Sequence, residues 1–226
     1  MSDIPVKIVK TLSVILTRDK QDIVDYNLDT YANATNYAIK TIFKRHLASP
    51  RAAYDALYAD IRDRFVYNKE VDAEEADGKI VFGGRFPFAI ISRIIGESDK
   101  NPVELLQEFT ERFAHQYVSD VIKTASVEIT RYRKLSKMIV SMRNKIPHFK
   151  QGVMIVSGFL VNIDTGGATL LTLGGQEVPI PFDKRSRNRE IDILEQIASG
   201  KRKIQRVRFT RNREGYLNID IRLPES

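Results

Sequence analysis

The chain has 226 residues, 42% hydrophobic and 29% charged, which suits one large or two smaller globular domains with a real core. It contains no cysteine, so disulfides, a Cys-type zinc ribbon and thiol catalysis are excluded within these residues. Its net charge of +7 is uneven: residues 1–130 carry 17 Lys and Arg against 20 Asp and Glu (net −3), and residues 131–226 carry 19 against 9 (net +10). A basic second half suggests a polyanion partner, and also fits an acidic protein partner or simple solubility. The opening MSDIPVKIVK lacks a signal-peptide apolar core, and no apolar run approaches the ~20 residues that span a bilayer. No membrane association is expected, and the expected location is cytoplasmic.

A strand is predicted over Val6–Thr17, with Val6, Ile8, Leu12, Val14 and Leu16 on one face and Lys10 interrupting it. Asp19 and Asp22 then open a helix whose apolar or small positions Ile23, Tyr26, Thr30, Ala34, Tyr37, Ala38 and Ile42 follow i, i+3, i+4 spacing. Ser49-Pro50 signals a second helix, an N-cap serine followed by proline at the first helical position, carrying Ala53, Leu57 and Ile61. Residues 68–79 are acidic and read as an exposed loop, and a short helix is expected at Phe86–Ile95. Asn101-Pro102 opens a long helix through Val103, Leu106, Phe109, Phe113, Tyr117 and Val121, continuing to about Met142.

At Ile146-Pro147 the period changes from helical to strand-like. Runs 153–163, 168–173 and 176–181 read as strands separated by Thr165-Gly166-Gly167 and Gly174-Gly175. Pro179 and Pro181 place the third at a sheet edge or barrel rim. A short helix, Arg189–Ala198, precedes a final strand pair. In that pair Arg206, Arg208 and Thr210 alternate with Val207 and Phe209, and Leu217, Ile219, Ile221 and Leu223 form a period-2 apolar face beyond the turn at Arg213-Glu214-Gly215. A lone N-terminal strand needs a partner, so it should pair with the distant C-terminal strands. The expected fold is therefore α+β: a small, oligonucleotide-binding-like β-barrel formed by 1–18 and 146–226, split by an inserted helical lobe at 19–145.

Catalytic patterns are scarce. His46, His115 and His148 have no metal-ligand spacing, and surface or core roles are expected for His46 and His115 on their helices. The Gly pairs at 83–84 and 166–167 lack the context of a phosphate cradle. Asp164 ends a strand, and Asp220 falls on the polar face of the last one, neither with a second carboxylate at defined spacing. No cofactor, small-molecule substrate or complete catalytic set is expected.

Basic clusters carry the functional signal. The first comprises Arg131, Arg133, Lys134, Lys137, Arg143, Lys145, His148 and Lys150; the second, Lys184, Arg185, Arg187 and Arg189. A third comprises Lys201, Arg202, Lys203, Arg206, Arg208, Arg211 and Arg213. Aromatics Tyr132, Phe149, Phe182, Phe209 and Tyr216 are interleaved, suited to base stacking or to the core. Arginines on one strand face read either as a phosphate-binding surface or as a charged edge that blocks aggregation.

The order of these features resembles the N-terminal part of transposon-encoded OrfB/TnpB proteins, RNA-guided nucleases related to type V CRISPR effectors. Val6-Lys7-Ile8-Val9-Lys10-Thr11-Leu12 with Leu16-Thr17, and Tyr31-Ala32-Asn33-Ala34-Thr35-Asn36-Tyr37-Ala38-Ile39, are similar to that family's first strand and first recognition helix. Ile146-Pro147-His148-Phe149-Lys150 resembles its Pro-x-Phe-Lys lead into the barrel. Gly200-Lys201-Arg202-Lys203 and Arg211-Asn212-Arg213-Glu214-Gly215-Tyr216-Leu217 resemble its final basic strand, turn and aromatic strand.

The resemblance implies a wedge barrel split by a recognition lobe, binding guide-type RNA and DNA through backbone contacts while base pairing supplies most specificity. It further implies Asn33, Asn36, Arg85, Ser92 and Arg93 as residues reading a DNA motif beside the target. The family's RuvC-type nuclease domain, with its Cys-rich ribbon, has no counterpart after Leu223. A non-catalytic binding lobe is therefore expected, whether as a fragment, as a natural truncation or as a separate subunit that works with a RuvC-type nuclease subunit or domain. The alternatives are a metal-dependent nuclease with an unrecognised site, and a basic protein-interaction module.

Overall fold

The computed structural model describes residues 6–67, 101–139, 141 and 145–224. The acidic loop expected at 68–79 and the helix expected at Phe86–Ile95 lie outside the described residues. The described chain is α+β with antiparallel sheets and forms two compact units, 1–29 with 152–226 and 30–151. The first three turns of the opening helix thus belong with the strands, beyond the boundary at residue 18 expected from where that helix opens.

In the strand-bearing unit, β1 (Val6–Leu12), β7 (Leu217–Pro224), β6 (Arg206–Arg211) and β2 (Val153–Val156) form a four-stranded sheet in the order β1-β7-β6-β2. β3 (Val161–Ile163), β4 (Gly167–Leu171) and β5 (Glu177–Pro181) form a three-stranded sheet. As anticipated, the first strand pairs with the last, Val6 opposite Pro224 and Leu12 opposite Asn218. Leu217, Ile219, Ile221 and Leu223 are all buried, and each such side chain contributes about 1.5–3 kcal/mol of transfer free energy.

That register corrects the expected face of β1. Val9 and Thr11 oppose Ile221 and Ile219, so the odd positions, with Ser13, turn inward, while Ile8 is 46% exposed and Val14 is also exposed. Hydroxyls let Thr11 and Ser13 live in the core. Thr11 Oγ1 donates to Ile219 O (3.1 Å), and Ser13 Oγ accepts from Leu217 N (2.9 Å) and donates to Val14 O (2.8 Å).

The apolar run 153–163 is two strands. It breaks at Ser157–Leu160, so β2 joins one sheet and β3 the other. The sheets meet at an isolated bridge between Ser13 and Phe182, beside a Val14 N to Pro181 O bond of 2.9 Å. They do not close into the expected barrel. β5, bearing Pro179 and Pro181, lies at an edge of its sheet, where a missing N–H is tolerated. At the β3–β4 turn Asp164 Oδ1 accepts from the Gly167 N–H (2.8 Å), and a Cβ on Gly167 would come within 2.5 Å of Ile180 O. Two short helices follow, α4 (Lys184–Arg189) and α5 (Ile191–Ala198), where one helix beginning at Arg189 was expected.

Helix α1 (Arg18–Lys44) buries Val24 and Leu28 against the strands of its unit, with Ile23 half-buried and Tyr26 57% exposed. The expected stripe was therefore one residue out of phase in its first turns. Asn27 anchors this end, its Oδ1 accepting from Leu173 N at 2.8 Å.

In the helical unit, the later turns of α1 bury Tyr31, Ala34, Ala38 and Ile42. α2 (Pro50–Ile61) starts at its expected cap, Ser49 Oγ accepting from Ala52 N (3.1 Å), and buries Ala53, Leu57 and Ile61. A π-helical turn, Arg62–Val66, follows it. α3 (Pro102–Met138) is capped by Asn101, whose Oδ1 accepts from Val103 N and Glu104 N (both 3.0 Å), and buries Phe109, Phe113, Tyr117 and Val121. Tyr31 packs edge-on against Tyr117 and its hydroxyl reaches Asp120 O (3.1 Å) and Thr124 Oγ1 (2.8 Å). His46 lies past the end of α1 at φ 52, a left-handed position that lets the Leu47 N–H close the helix on Ile42 O at 3.2 Å.

Candidate nucleic-acid interface

One face of the four-stranded sheet is buried, so the alternate residues of β1, β7 and β6 form an outer, polar face. Register places them in rows. Lys10, Asp220 and Arg208 lie side by side; Ile8, Arg222 and Arg206 form the next row, and Leu12, Asn218 and Thr210 the one on the other side. Arg206 and Arg222 are direct cross-strand partners, an arrangement that costs stability because like charges face each other. Neither is in an ion pair among the described residues.

Helix α4 walls this face along β1. Asp183 caps it, Oδ2 accepting from Arg185 N (3.0 Å) and Ser186 N (3.2 Å). Asp183 N donates to Leu12 O (2.7 Å), Ser186 Oγ accepts from Leu12 N (3.1 Å), and Arg189 Nη2 donates to Lys10 O (2.8 Å). These bonds occupy backbone groups on the outer edge of β1 and so protect it from edge-to-edge pairing. The result is a cleft of about 820 Å³ lined by α4 and the three strands.

The KRSRNR cluster is thus a helix, with Lys184, Arg185 and Arg189 exposed and Arg187 half-buried. Lys201 and Lys203 are exposed and Arg202 half-buried in the loop before β6; Arg213 is exposed in the β6–β7 turn, with Tyr216 half-buried beside it. Lys10 and Arg222 were missed in sequence. Lys10 interrupts an apolar face and Arg222 lies outside the three basic clusters, yet counting outward from the turn pairs Arg211 with Leu217 and hence Arg206 with Arg222.

Arg211 differs from its neighbours on β6. It makes ion pairs with Asp25 (3.0 Å) and Asp29 (3.0 Å), its N–H donates to Gly152 O (2.8 Å), and Gly152 N donates to Asp29 Oδ1 (3.0 Å). Partial burial alone would lower its pKa, but hydrogen bonds and charge from Asp25 and then Asp29 outweigh this and hold it above the usual value. Arg211 ties α1 to β6, and its guanidinium is committed within the fold.

In the helical unit Arg131, Arg133, Lys134 and Lys137 are exposed near the end of α3, with Arg131 paired to Glu128 (2.8 Å). Lys145, His148 and Lys150 are exposed. Asn36 is spent on the backbone of Phe149, donating to its O (3.0 Å) and accepting from its N (2.7 Å). Asn33 is exposed and accepts from Gln151 Nε2 at 2.8 Å. Arg85, Ser92, Arg93 and Arg143 lie outside the described residues. Of the aromatics suited to stacking or to the core, Tyr132, Phe149, Phe182 and Phe209 are core residues, exposed by 6%, 5%, 4% and 0%. His115 Nδ1 lies 2.7 Å from the Tyr54 hydroxyl, whose pKa is pushed up to about 12 by burial, with Tyr58 and Asp55 adding to it.

Among the described residues, no three His, Asp or Glu side chains come together where a metal ion could be held, and no helix is long and apolar enough to cross a membrane. The chain matches no protein-family model and no curated protein sequence.

Proposed function

We propose that this chain is a non-catalytic nucleic-acid-binding lobe of an RNA-guided DNA-targeting system, holding guide-type RNA and DNA mainly through backbone phosphates. In this reading the two-sheet unit is an opened wedge and residues 30–151 are the recognition lobe. The observation that carries it is the pair of opposed arginines, Arg206 and Arg222, on an exposed sheet face. Neither is in an ion pair among the described residues, and a phosphate between them would turn an unfavourable contact into two charge-assisted bonds. Arg208 stands in the adjoining row, and Lys201 and Lys203 are exposed in the loop before β6.

Such a grip releases counterions, so its affinity must fall with salt, with a slope of about 0.7 per phosphate contact for a single strand. Replacing Lys201, Lys203, Arg206 and Arg208 by Ala is expected to weaken RNA binding about 100-fold at low salt and to flatten that slope by about two units. Titration of labelled RNA over a salt series measures both. A folded variant that binds as tightly as the parent rejects the reading.

A further inference from the structure

The cleft between α4 and the open sheet face contains a group that a pure phosphate grip has no use for. Asp220 stands on β7 between Lys10 on β1 and Arg208 on β6, with neighbouring strands about 4.8 Å apart. Register alone would let it neutralise either cation. Yet Asp220 forms no ion pair or side-chain hydrogen bond among the described residues, and neither do the side chains of Lys10, Arg208, Asn218, Thr210 or Arg185 around it. Of the polar residues of the cleft that do have side-chain partners, Thr11 turns its hydroxyl into the core, and Asp183, Ser186 and Arg189 fasten α4. The lining therefore divides into groups that build the wall and groups left with their bonding capacity intact.

The row Lys10–Asp220–Arg208 offers a donor beside an acceptor of two hydrogen bonds. Among the standard bases, guanine alone presents the complement on its Watson–Crick edge: O6 accepts, and N1–H and the 2-amino group both donate. Uracil would place O2, and adenine N1, against the carboxylate. That edge is free only in an unpaired nucleotide, and sequence-specific RNA recognition usually targets such nucleotides. We propose that this cleft reads a single unpaired guanine, its N1–H and 2-amino group donating to Asp220 and its O6 accepting from Arg208 or Lys10. Arg185 on the wall and Arg206 in the adjoining row hold the flanking phosphates. This rests on the nucleic-acid reading above and adds to it a base-specific contact.

The test uses the full chain and single-stranded eight-nucleotide RNAs of uridine carrying one central guanosine, inosine, adenosine or uridine. Inosine keeps N1–H and O6 and lacks only the 2-amino group. The parent protein should bind the guanosine RNA about fivefold more tightly than the other three. Asp220→Asn should erase that preference, and Asp220→Glu should keep most of it. Removing a carboxylate that merely sits near phosphates has the opposite signature, tightening all four RNAs alike. Equal binding of the four by the parent, or uniform tightening in Asp220→Asn, overturns the guanine site and leaves the phosphate grip standing. Failure of the parent to bind any of them overturns both.

Discussion

Arg208 and Arg211 lie three residues apart on β6, and the regions around them use the same chemistry to opposite ends. Arg211 lies 3.0 Å from a carboxylate of Asp25 and 3.0 Å from one of Asp29, and is half-buried. Arg208 is exposed beside Asp220, which separates it from Lys10, with its guanidinium uncommitted among the described residues. One region spends its charges on holding a helix to a sheet. The other accumulates charge that the fold does not consume. Density of arginine along the chain therefore says little; what separates scaffold from candidate surface is whether an acid from a distant segment arrives within reach.

The comparison breaks most readily at Arg211. Arg211→Ala leaves Asp25 and Asp29 facing each other without a cation and should cost about 2 kcal/mol, read as a lower urea midpoint, with RNA affinity unchanged within twofold. A stable variant with weakened RNA binding would merge the two regions into one. A smaller effect, about 1 kcal/mol, is expected for Ser186→Ala, which removes the hydroxyl joining α4 to Leu12. Slackening that wall should weaken RNA binding a few-fold, whereas an intact affinity would place the ligand away from α4. The smallest change belongs to Arg222→Ala. Relief of the Arg206 repulsion should raise stability by about 0.5 kcal/mol while RNA affinity falls, and a loss of both would mean that the pair stabilises the fold.

Local signals in the sequence were accurate where the cause was local. Ser49 and Asn101 cap their helices because a cap is a matter of three or four adjacent residues. The β6–β7 register follows from its turn, and the pairing of β1 with a C-terminal strand followed from the instability of a lone strand. What failed depended on distant partners. The apolar parity of β1 favoured the even positions, but β7 presents its own apolar face to Val9 and Thr11, and buried hydroxyls satisfied by backbone were invisible beforehand. The resemblance implied Asn36 as a reader of a DNA motif, but its amide serves the backbone of Phe149, which lies 113 residues away. In the same way the acids that claim Arg211 precede it by more than 180 residues. In α4, six residues are too few to show an apolar stripe, and the helix is recognised only once Asp183 is seen to cap it.

Pairing β1 with β7 also sets an order of assembly. Val9 meets Ile221 and Thr11 meets Ile219, so the partner of the first strand is made some two hundred residues later. Residues 30–151 form a compact unit of their own. On the ribosome the helical unit can therefore consolidate while β1 waits, its carbonyls and amides still bonded to water. Closing so large a loop is slow, but an already compact segment within it shortens the free chain that must be ordered. The row that joins Lys10 to Asp220 and Arg208 therefore exists only once β7 has been made and β1 has found it.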